Sequence, residues 1–209
     1  MKYLLMIAAW GIAATVACTA QTLPVELMVG HQRTGVDVLW FKKFAAGKDN
    51  PWLFFHRSRA SVDYHNKTAF GITNAVSYNF RSGIGLVAAT QFLQAGFVAK
   101  AGVQYFKARG NVNVFSWLVA GNNTNHRFSG DWFVLARWSP RLHQAWKGFI
   151  QAELFSQAEE GWTLALTQRV RIGVGTDQWQ VGFAADFTET GRSEFSTTRN
   201  LGAFLRRVF

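Results

Sequence analysis

Three polar side chains in the first half of the chain have the types and the spacing that nucleophilic catalysis requires. His56 and Ser58 lie two residues apart, and Asn74 follows in the next run of residues. A histidine beside a serine can accept the hydroxyl proton and prepare Oγ for attack on an acyl carbon, while a third group holds the imidazole in position. A tight hairpin near Asn66 would place Asn74 beside Ser58. The set is a candidate nucleophilic site; the alternative is three polar residues near a strand end with no catalytic role.

Basic side chains are the largest chemical signal in the sequence. Arg57 and Arg59 form one pair two residues apart, and Arg169 and Arg171 form another. Because side chains of a strand alternate between its faces, each pair projects onto one face. A guanidinium group stays charged and forks onto carboxylate or phosphate, so such arginines can guide anions through a pore. Six side chains form the predicted anion-binding set: Arg57, Arg59, Lys100, Arg137, Arg169 and Arg171.

Acidic side chains are predicted on the same face as the basic ones, and they leave an alternative open. The acidic set is Glu26, Asp37, Asp63, Glu153 and Asp186. If these acids pair fully with the bases, the interior is a neutral plug in a closed structural or partner-binding barrel. If they do not, the uncompensated arginines attract anions. Sequence leaves both outcomes open, because a register shift of two residues keeps the inward face but changes every partner.

Other kinds of site are not indicated. The remaining histidines, His31, His65, His126 and His143, have no metal-ligand spacing, and the only cysteine is Cys18. Glycines recur singly and form no phosphate-binding loop. The basic residues behind the net charge of +10 alternate along runs instead of forming one patch. We therefore predict no metal, no cofactor and no nucleic acid; the expected partners are lipopolysaccharide, other outer-membrane lipid and small anionic solutes.

The elements that must position these side chains are strands. Residues 178–188 place Trp179, Val181 and Phe183 on one face and polar or small residues on the other, whereas a helix would have no coherent apolar stripe. Similar runs between short turn signals predict about twelve strands, each near the length of about 9–11 residues that crosses a bilayer. Ten strands are the alternative, because Val25–Arg33 and Val36–Phe44 could form one bent strand.

The first twenty residues have the features of a signal peptide, so the predicted domains are residues 1–20 and a barrel over residues 21–209. Lys2 supplies the positive charge, residues 3–17 form the apolar stretch, and Cys18-Thr19-Ala20 offers small residues for cleavage. Lipidation of Cys18 is the alternative. Removing this segment takes away the only cysteine and lowers the net charge from +10 to +9. Strand pairing and burial must then stabilise the rest.

Three features favour an all-β fold that closes into an antiparallel transmembrane β-barrel over a soluble β-sandwich. The more aromatic face of the runs carries few charges, and a narrow barrel would hold the charged face inside. The signal peptide routes the chain out of the cytoplasm, and closure satisfies every backbone group in lipid. Tryptophans stand at run ends, as in the aromatic girdles of membrane barrels: Trp52, Trp132, Trp138, Trp146, Trp162 and Trp179.

An even number of strands places both termini on one side, the periplasmic side in bacterial barrels. The two longest gaps between runs, residues 122–130 and 189–198, then both fall on the outer side, where longer loops are expected.

The C-terminal stretch Leu201–Phe209 resembles the last strand of bacterial outer-membrane barrels, which typically ends in Phe and is read by the barrel-assembly machinery. The resemblance implies that Phe209 is an assembly signal and that this machinery is a partner. Four further segments are similar to a family of uncharacterised outer-membrane barrels from Bacteroidetes-type Gram-negative bacteria: Phe54–Tyr64, Phe115–Val119, Asp131–Leu135 and Thr190–Arg192. This similarity implies the cell outer membrane as the location and brings no activity with it.

The set of His56, Ser58 and Asn74 resembles the lipid-facing arrangement of outer-membrane phospholipase A, in which His activates Ser for acyl transfer. Arg59 stands where that family has Asn-Gly after its Ser. Narrow twelve-stranded porins for acidic oligosaccharides have similar arginine ladders, although no segment here matches theirs. From the sequence we expect a porin-like barrel that binds or passes small anions; acyl hydrolysis is an alternative, and no release of fatty acid is expected.

Overall fold

The computed structural model describes residues 23–44, 50–94, 96–124, 127–160, 163–192 and 194–209. The predicted signal peptide with Cys18, and also His126 and Trp162, lie outside these ranges. No helix among the described residues is long and apolar enough to span a membrane. The described residues form thirteen strands: β1 (Pro24–Gly30), β2 (Arg33–Lys43), β3 (Trp52–Asp63), β4 (Thr68–Asn79), β5 (Ile84–Leu93), β6 (Gly96–Arg109), β7 (Val112–Asn123), β8 (Phe128–Trp138), β9 (Arg141–His143), β10 (Trp146–Glu159), β11 (Thr163–Gly175), β12 (Trp179–Gly191) and β13 (Phe195–Val208).

Twelve of these strands close into an antiparallel barrel. Neighbours in sequence pair with each other, β8 pairs with β10, and β13 pairs with β1 from Pro24↔Val208 to Gly30↔Gly202. The short strand β9 follows the break at Pro140 and pairs with the same edge of β10 as β8 does, so it prolongs β8. The prediction of a closed barrel with about twelve strands is confirmed.

The alternative of ten strands is wrong at the N-terminus. Val25–Arg33 and Val36–Phe44 do not form one bent strand, because the chain reverses at residues 31–32 and β1 pairs with β2.

Two other tight turns of the barrel use backbone conformations that few residues adopt. Asn66 has a φ of 63° between β3 and β4, and Gly110 has a φ of 57° in the two-residue turn between β6 and β7.

The lengths of the connections differ from the prediction. Residues 122–130 and 189–198 do fall at the end opposite the termini, but strands β7, β8, β12 and β13 continue into them. Only residues 124–127 and 192–194 separate these strands, whereas residues 44–51 separate β2 from β3 at the end that holds the termini. The gaps looked longer in sequence because polar residues break the apolar alternation, yet their backbone still pairs.

The outer surface of the barrel is apolar, as predicted. Phe183 is 80% exposed and Leu86 and Leu118 are each 60% exposed, which suits contact with lipid. Four of the predicted girdle tryptophans, Trp52, Trp138, Trp146 and Trp179, lie at strand ends on the side of the termini, and each is about half exposed. Trp132 also faces outward, but it lies inside β8 rather than at its end.

The inner surface contains a large aromatic cluster that the sequence analysis assigned to no face. Phe115 is completely buried, its ring stacks on Phe55 with centroids 5.3 Å apart, and Trp117 contacts Phe55 at 5.0 Å. Phe133 and Leu135 of β8 join the same cluster. The expectation of a small or polar inner face is therefore wrong for β3, β7 and β8. Aromatic rings fill much of this side of the barrel, and the arginine–acid network lies on the other side.

Candidate functional site

The polar side of the interior is a network of ion pairs that the strand register creates. Asp37 of β2 lies directly opposite Arg59 of β3. Arg169 of β11 lies opposite both Glu153 of β10 and Asp186 of β12. Opposite charges thus alternate between neighbouring strands on the inner face, where they are shielded from lipid and largely from water. The register supplies the partners that the sequence left undetermined.

Arg57 is the most tightly held base of this network. Its Nε and Nη2 donate to the two carboxylate oxygens of Asp37 at 3.1 and 2.5 Å, a bidentate pair. Nη2 also lies 2.9 Å from Oε2 of Glu153, and the guanidinium stands 5.6 Å from the ring centre of Phe133. This arginine joins the acids to the aromatic cluster.

Arg171 is bound by two acids on the other side of the network. Its Nε donates to Glu26 at 2.8 Å and its Nη1 donates to Asp186 at 2.6 Å. The second oxygen of Glu26 accepts from Arg206, a base that the sequence analysis did not select. Arg206 shares the inward face of β13 with Phe204, so the alternation of that strand could have identified it.

Arg59 and Arg169 are held less completely. The Nε of Arg59 lies 3.2 Å from Oδ2 of Asp37, and Nη1 of Arg169 lies 3.5 Å from the same oxygen. Neither of these nitrogens, nor Nε of Arg169, has a hydrogen-bond partner among the described residues. Their remaining contacts with acids are ion pairs of 3.8 Å, from Arg169 to Glu153 and Asp186. These three nitrogens are buried and are held by ion pairs alone, so Arg59 and Arg169 are less completely hydrogen-bonded than Arg57 and Arg171.

The other two predicted bases make no direct ion pair with the acids of this network. Lys100 is fully buried and pairs with Asp131 at 2.6 Å, while its Nζ also donates to Ser129 at 2.9 Å. Arg137 donates from Nε to Oε1 of Gln151 at 2.9 Å, an oxygen that also accepts from Arg206, and its Nη2 has no hydrogen-bond partner among the described residues. Asp131 was missed as an inward acid, although it alternates with the buried residues of β8. Asp131 and Ser129 therefore satisfy the charge and the hydrogen-bonding capacity of Lys100.

Asp63 was predicted to accompany the inward acids; it lies at the end of β3 opposite Arg33, and it does not join the ion-pair network. Its Oδ1 accepts hydrogen bonds from the backbone N–H groups of His65 and Lys67 at 2.9 and 2.8 Å, so the side chain caps the turn after β3. Aspartate commonly bonds in this way to backbone groups just ahead of it in a turn. The residue therefore stabilises a hairpin and contributes nothing to the interior.

The interior as a whole carries an excess of positive charge. The acids inside the barrel are Glu26, Asp37, Asp131, Glu153 and Asp186. The bases are Arg33, Arg57, Arg59, Lys100, Arg137, Arg169, Arg171 and Arg206. Eight bases against five acids leave three positive charges uncompensated, so the network is not a neutral plug.

A cavity of about 370 Å³ lies above the ion pairs, in the half of the barrel away from the termini. Arg59, Arg169, Gln157, Thr188 and Asn200 are among the residues that line it. We call this cavity the vestibule. A second cavity, of about 10 Å³, lies on the side of the termini. The two share Glu26, Asp37 and Glu153 in their walls, so the ion network forms the constriction between them.

The structure brings His56, Ser58 and Asn74 together on the outer surface. His56 and Asn74 are cross-strand partners of β3 and β4, and Nδ1 of His56 lies 2.8 Å from Oδ1 of Asn74. The other ring nitrogen, Nε2, lies 3.3 Å from Oγ of Ser58. With Nδ1–H donated to the amide oxygen, Nε2 is the free base that faces the hydroxyl. All three side chains are partly buried and point toward the lipid side.

No candidate metal site is found among the described residues. Within the ranges that the structure describes, no group of three or more His, Cys, Asp or Glu side chains could hold a metal ion.

The C-terminal residue closes the barrel seam. Phe209 and Leu23 exchange two backbone hydrogen bonds of 3.0 Å, which prolong the β1–β13 pairing to the end of the chain. The Phe209 ring is 62% exposed on the outer surface, and the guanidinium of Arg207 lies 4.5 Å from its centre. The predicted assembly signal is thus accessible at the rim.

The chain has the fold of the outer-membrane β-barrels, and its apolar outer surface suits a barrel in a membrane. Three solved structures support the fold. The NanC porin is 10% identical with a TM-score of 0.51, over 91% of this chain and 100% of that chain. An outer membrane channel from Pseudomonas putida F1 is 9% identical with a TM-score of 0.51, over 92% and 97%. The KdgM porin in complex with disordered oligogalacturonate is 10% identical with a TM-score of 0.50, over 90% and 99%.

No protein-family model matches the chain, and no curated protein sequence matches it.

Proposed function

We propose that this outer-membrane barrel binds small anionic solutes in its vestibule and passes them through the constriction below. The observation that carries the proposal is the pair of incompletely bonded guanidinium groups, Arg59 and Arg169, in the wall of a cavity of about 370 Å³. Cavities of this size commonly hold small ligands. The interior also has three more positive than negative charges, so an anion reduces the imbalance where a cation would add to it.

The six predicted bases then have different roles. Arg59 and Arg169 bind the solute, because both line the vestibule and their guanidinium groups lack the short hydrogen bonds to acids that hold Arg57 and Arg171. Arg57 and Arg171 are tied to acids by short hydrogen bonds and fix the positions of those acids. Lys100 is paired with Asp131 beside the aromatic cluster, and Arg137 packs against the ring of Phe149. One solved neighbour in fold, the KdgM porin, has a structure in complex with disordered oligogalacturonate, which supports an acidic solute for this barrel.

Planar-bilayer conductance tests the passage of anions. We expect a small current with preference for anions, because the constriction is narrow and its field is positive. The variant Arg59→Gln/Arg169→Gln removes two of the three excess charges and should lose most of that preference, whereas Arg199→Gln, a change at an exposed residue of β13, should keep it. Cation preference in the unmodified barrel, or no current at any voltage, would refute passage.

The geometry of the outward triad favours a second candidate function, acyl hydrolysis of membrane lipid. Ser58 Oγ would attack the acyl carbonyl, His56 Nε2 would take its proton and later return it to the leaving alcohol, and Asn74 would hold the imidazole. Water would then release the fatty acid from the acyl-serine. The lipid-facing position gives the site direct access to such a substrate.

Fatty-acid release from phospholipid by the purified barrel in detergent tests this second function. If the triad acts as described, Ser58→Ala should reduce release by about 1,000-fold or more, because the nucleophile is lost. Ser116→Ala, which removes a serine from β7 and leaves His56 untouched, should leave release unchanged. Absence of release from the unmodified protein, or equal rates in both variants, would remove this candidate.

The proposed function also includes a family relationship and two kinds of partner. The similarity of Phe54–Tyr64 and the other segments supports membership of the Bacteroidetes-type family of outer-membrane barrels. The exposed Phe209 supports recognition by the barrel-assembly machinery, and the apolar outer surface supports contact with outer-membrane lipid and lipopolysaccharide.

A further inference from the structure

The exposed charges outside the barrel interior are distributed unequally between its two ends. At the end opposite the termini, acids and bases nearly balance near the strand ends. The bases there are Lys67, Arg127, Arg192 and Arg199, and the acids are Asp63, Glu159, Glu160, Glu189 and Glu194, while Arg33 lines the vestibule. The end that holds the termini has a strong basic excess instead.

Six basic residues form what we call the basic rim at the end of the termini: Lys42, Arg81, Lys107, Arg109, Arg141 and Arg207. Its described acid, Asp177, is already paired with Lys147. The six belong to β2, the β4–β5 turn, β6, β9 and β13, so they are spread around the circumference. A folded protein partner would contact one sector of such a rim, whereas a ring of lipid headgroups contacts all of it.

Aromatic side chains fix the depth of the rim in the membrane. Nζ of Lys42 lies 5.4 Å from the ring centre of Trp40, and the guanidinium of Arg207 lies 5.0 Å from that of Trp179. Tryptophan at the end of a membrane strand sits at headgroup level. Basic side chains stacked on these rings therefore reach the layer of lipid phosphates, with their alkyl stems along the apolar surface.

We propose that the basic rim binds the phosphate groups of anionic phospholipids in the leaflet on the side of the termini. This interaction concerns the outer surface and goes beyond the proposed function of the lumen. Its chemistry is that of juxtamembrane basic segments, which are attracted to anionic lipid over a distance of about one Debye length. The charge-balanced opposite end offers no such attraction.

Lipid selectivity can be measured on the full chain in vesicles by quenching of its tryptophans. Brominated phosphatidylglycerol and brominated phosphatidylcholine quench when they occupy sites beside the rings, so their ratio gives the preference for the anionic lipid. We expect a preference of about fivefold or more, which should disappear when added salt shortens the Debye length to about 3 Å. Equal quenching by the two lipids at low salt would overturn the proposal.

Two variants that remove the same number of positive charges distinguish lipid binding at the rim from attraction of lipid to the overall charge of the protein. Lys42→Gln/Lys107→Gln/Arg109→Gln/Arg207→Gln removes four rim charges and should abolish the preference. Lys67→Gln/Arg127→Gln/Arg192→Gln/Arg199→Gln removes four charges from the opposite end and should retain it. Heat-modifiable migration on gels verifies that both variants are folded. Equal loss of preference in the two variants would contradict the rim as the binding surface. The salt series on the unmodified chain tests the electrostatic attraction without any variant.

Discussion

Asp37→Ala should lower the free energy of unfolding of the barrel by about 3 to 5 kcal/mol, the range for removing one partner of a buried ion pair. Asp37 is the acid on which the network depends most. It forms a bidentate pair with Arg57 and also contacts Arg59 and Arg169. Without it, three guanidinium groups face one another in the barrel interior, and only Arg57 and Arg169 still have another acid in contact.

Urea unfolding of the reconstituted barrel, followed by tryptophan fluorescence, measures this effect. The matched control is Asp177→Ala, which removes an aspartate from the pair with Lys147, where the Asp177 side chain is 79% exposed. An exposed pair contributes less than about 1 kcal/mol, so the control should unfold almost as the unmodified protein does. Similar losses in the two variants would show that the interior network is not the stabilising feature described above.

The fold was largely predictable because period two dominates the sequence. In β11 and β12 the polar positions face inward and the apolar positions face lipid, as the alternation of residues 163–188 indicates. The strand number followed from turn signals such as Gly110-Asn111. Connection lengths were not predictable in this way, because Ser, Thr and Asn near strand ends pair through their backbone while their side chains resemble those of loops.

The interior could be predicted only in part. Alternation identified Arg57, Arg59, Arg169 and Arg171 as inward, and all four meet acids inside the barrel. Which acid meets which base depends on register, and a shift of two residues would have exchanged every partner. The aromatic cluster was not foreseen, because a phenylalanine such as Phe115 has the same character whether its neighbour is lipid or another ring.

For the triad, the sequence indicated the three residues and the strand register supplies their contacts. His56, Ser58 and Asn74 were selected from sequence as a loose pattern, and the hairpin at Asn66 brings them within hydrogen-bonding distance. The register is decisive here as well, since His56 and Asn74 are direct cross-strand partners. A serine in contact with a histidine has the geometry of an activated nucleophile, but geometry alone does not establish turnover. The Ser58→Ala variant therefore decides whether the set hydrolyses lipid.

Calorimetric titration of the purified barrel with succinate tests the central claim, an anion site at Arg59 and Arg169, most directly. Succinate presents two carboxylates to the vestibule, and succinamide has a similar shape without charge. We expect saturable binding of succinate and none of succinamide, because the site offers charge-assisted hydrogen bonds to a carboxylate.

Arg59→Gln/Arg169→Gln should weaken succinate binding by about 100-fold, since two charged hydrogen bonds at about 1.5 kcal/mol each are lost. The variant should fold, because Asp37 and Glu153 keep Arg57, and Asp186 keeps Arg171. Arg199→Gln, which removes an exposed charge at the same end of the barrel, should bind succinate as the unmodified chain does. Equal affinity for succinate and succinamide, or full affinity in the double variant, would contradict an anion site in the vestibule.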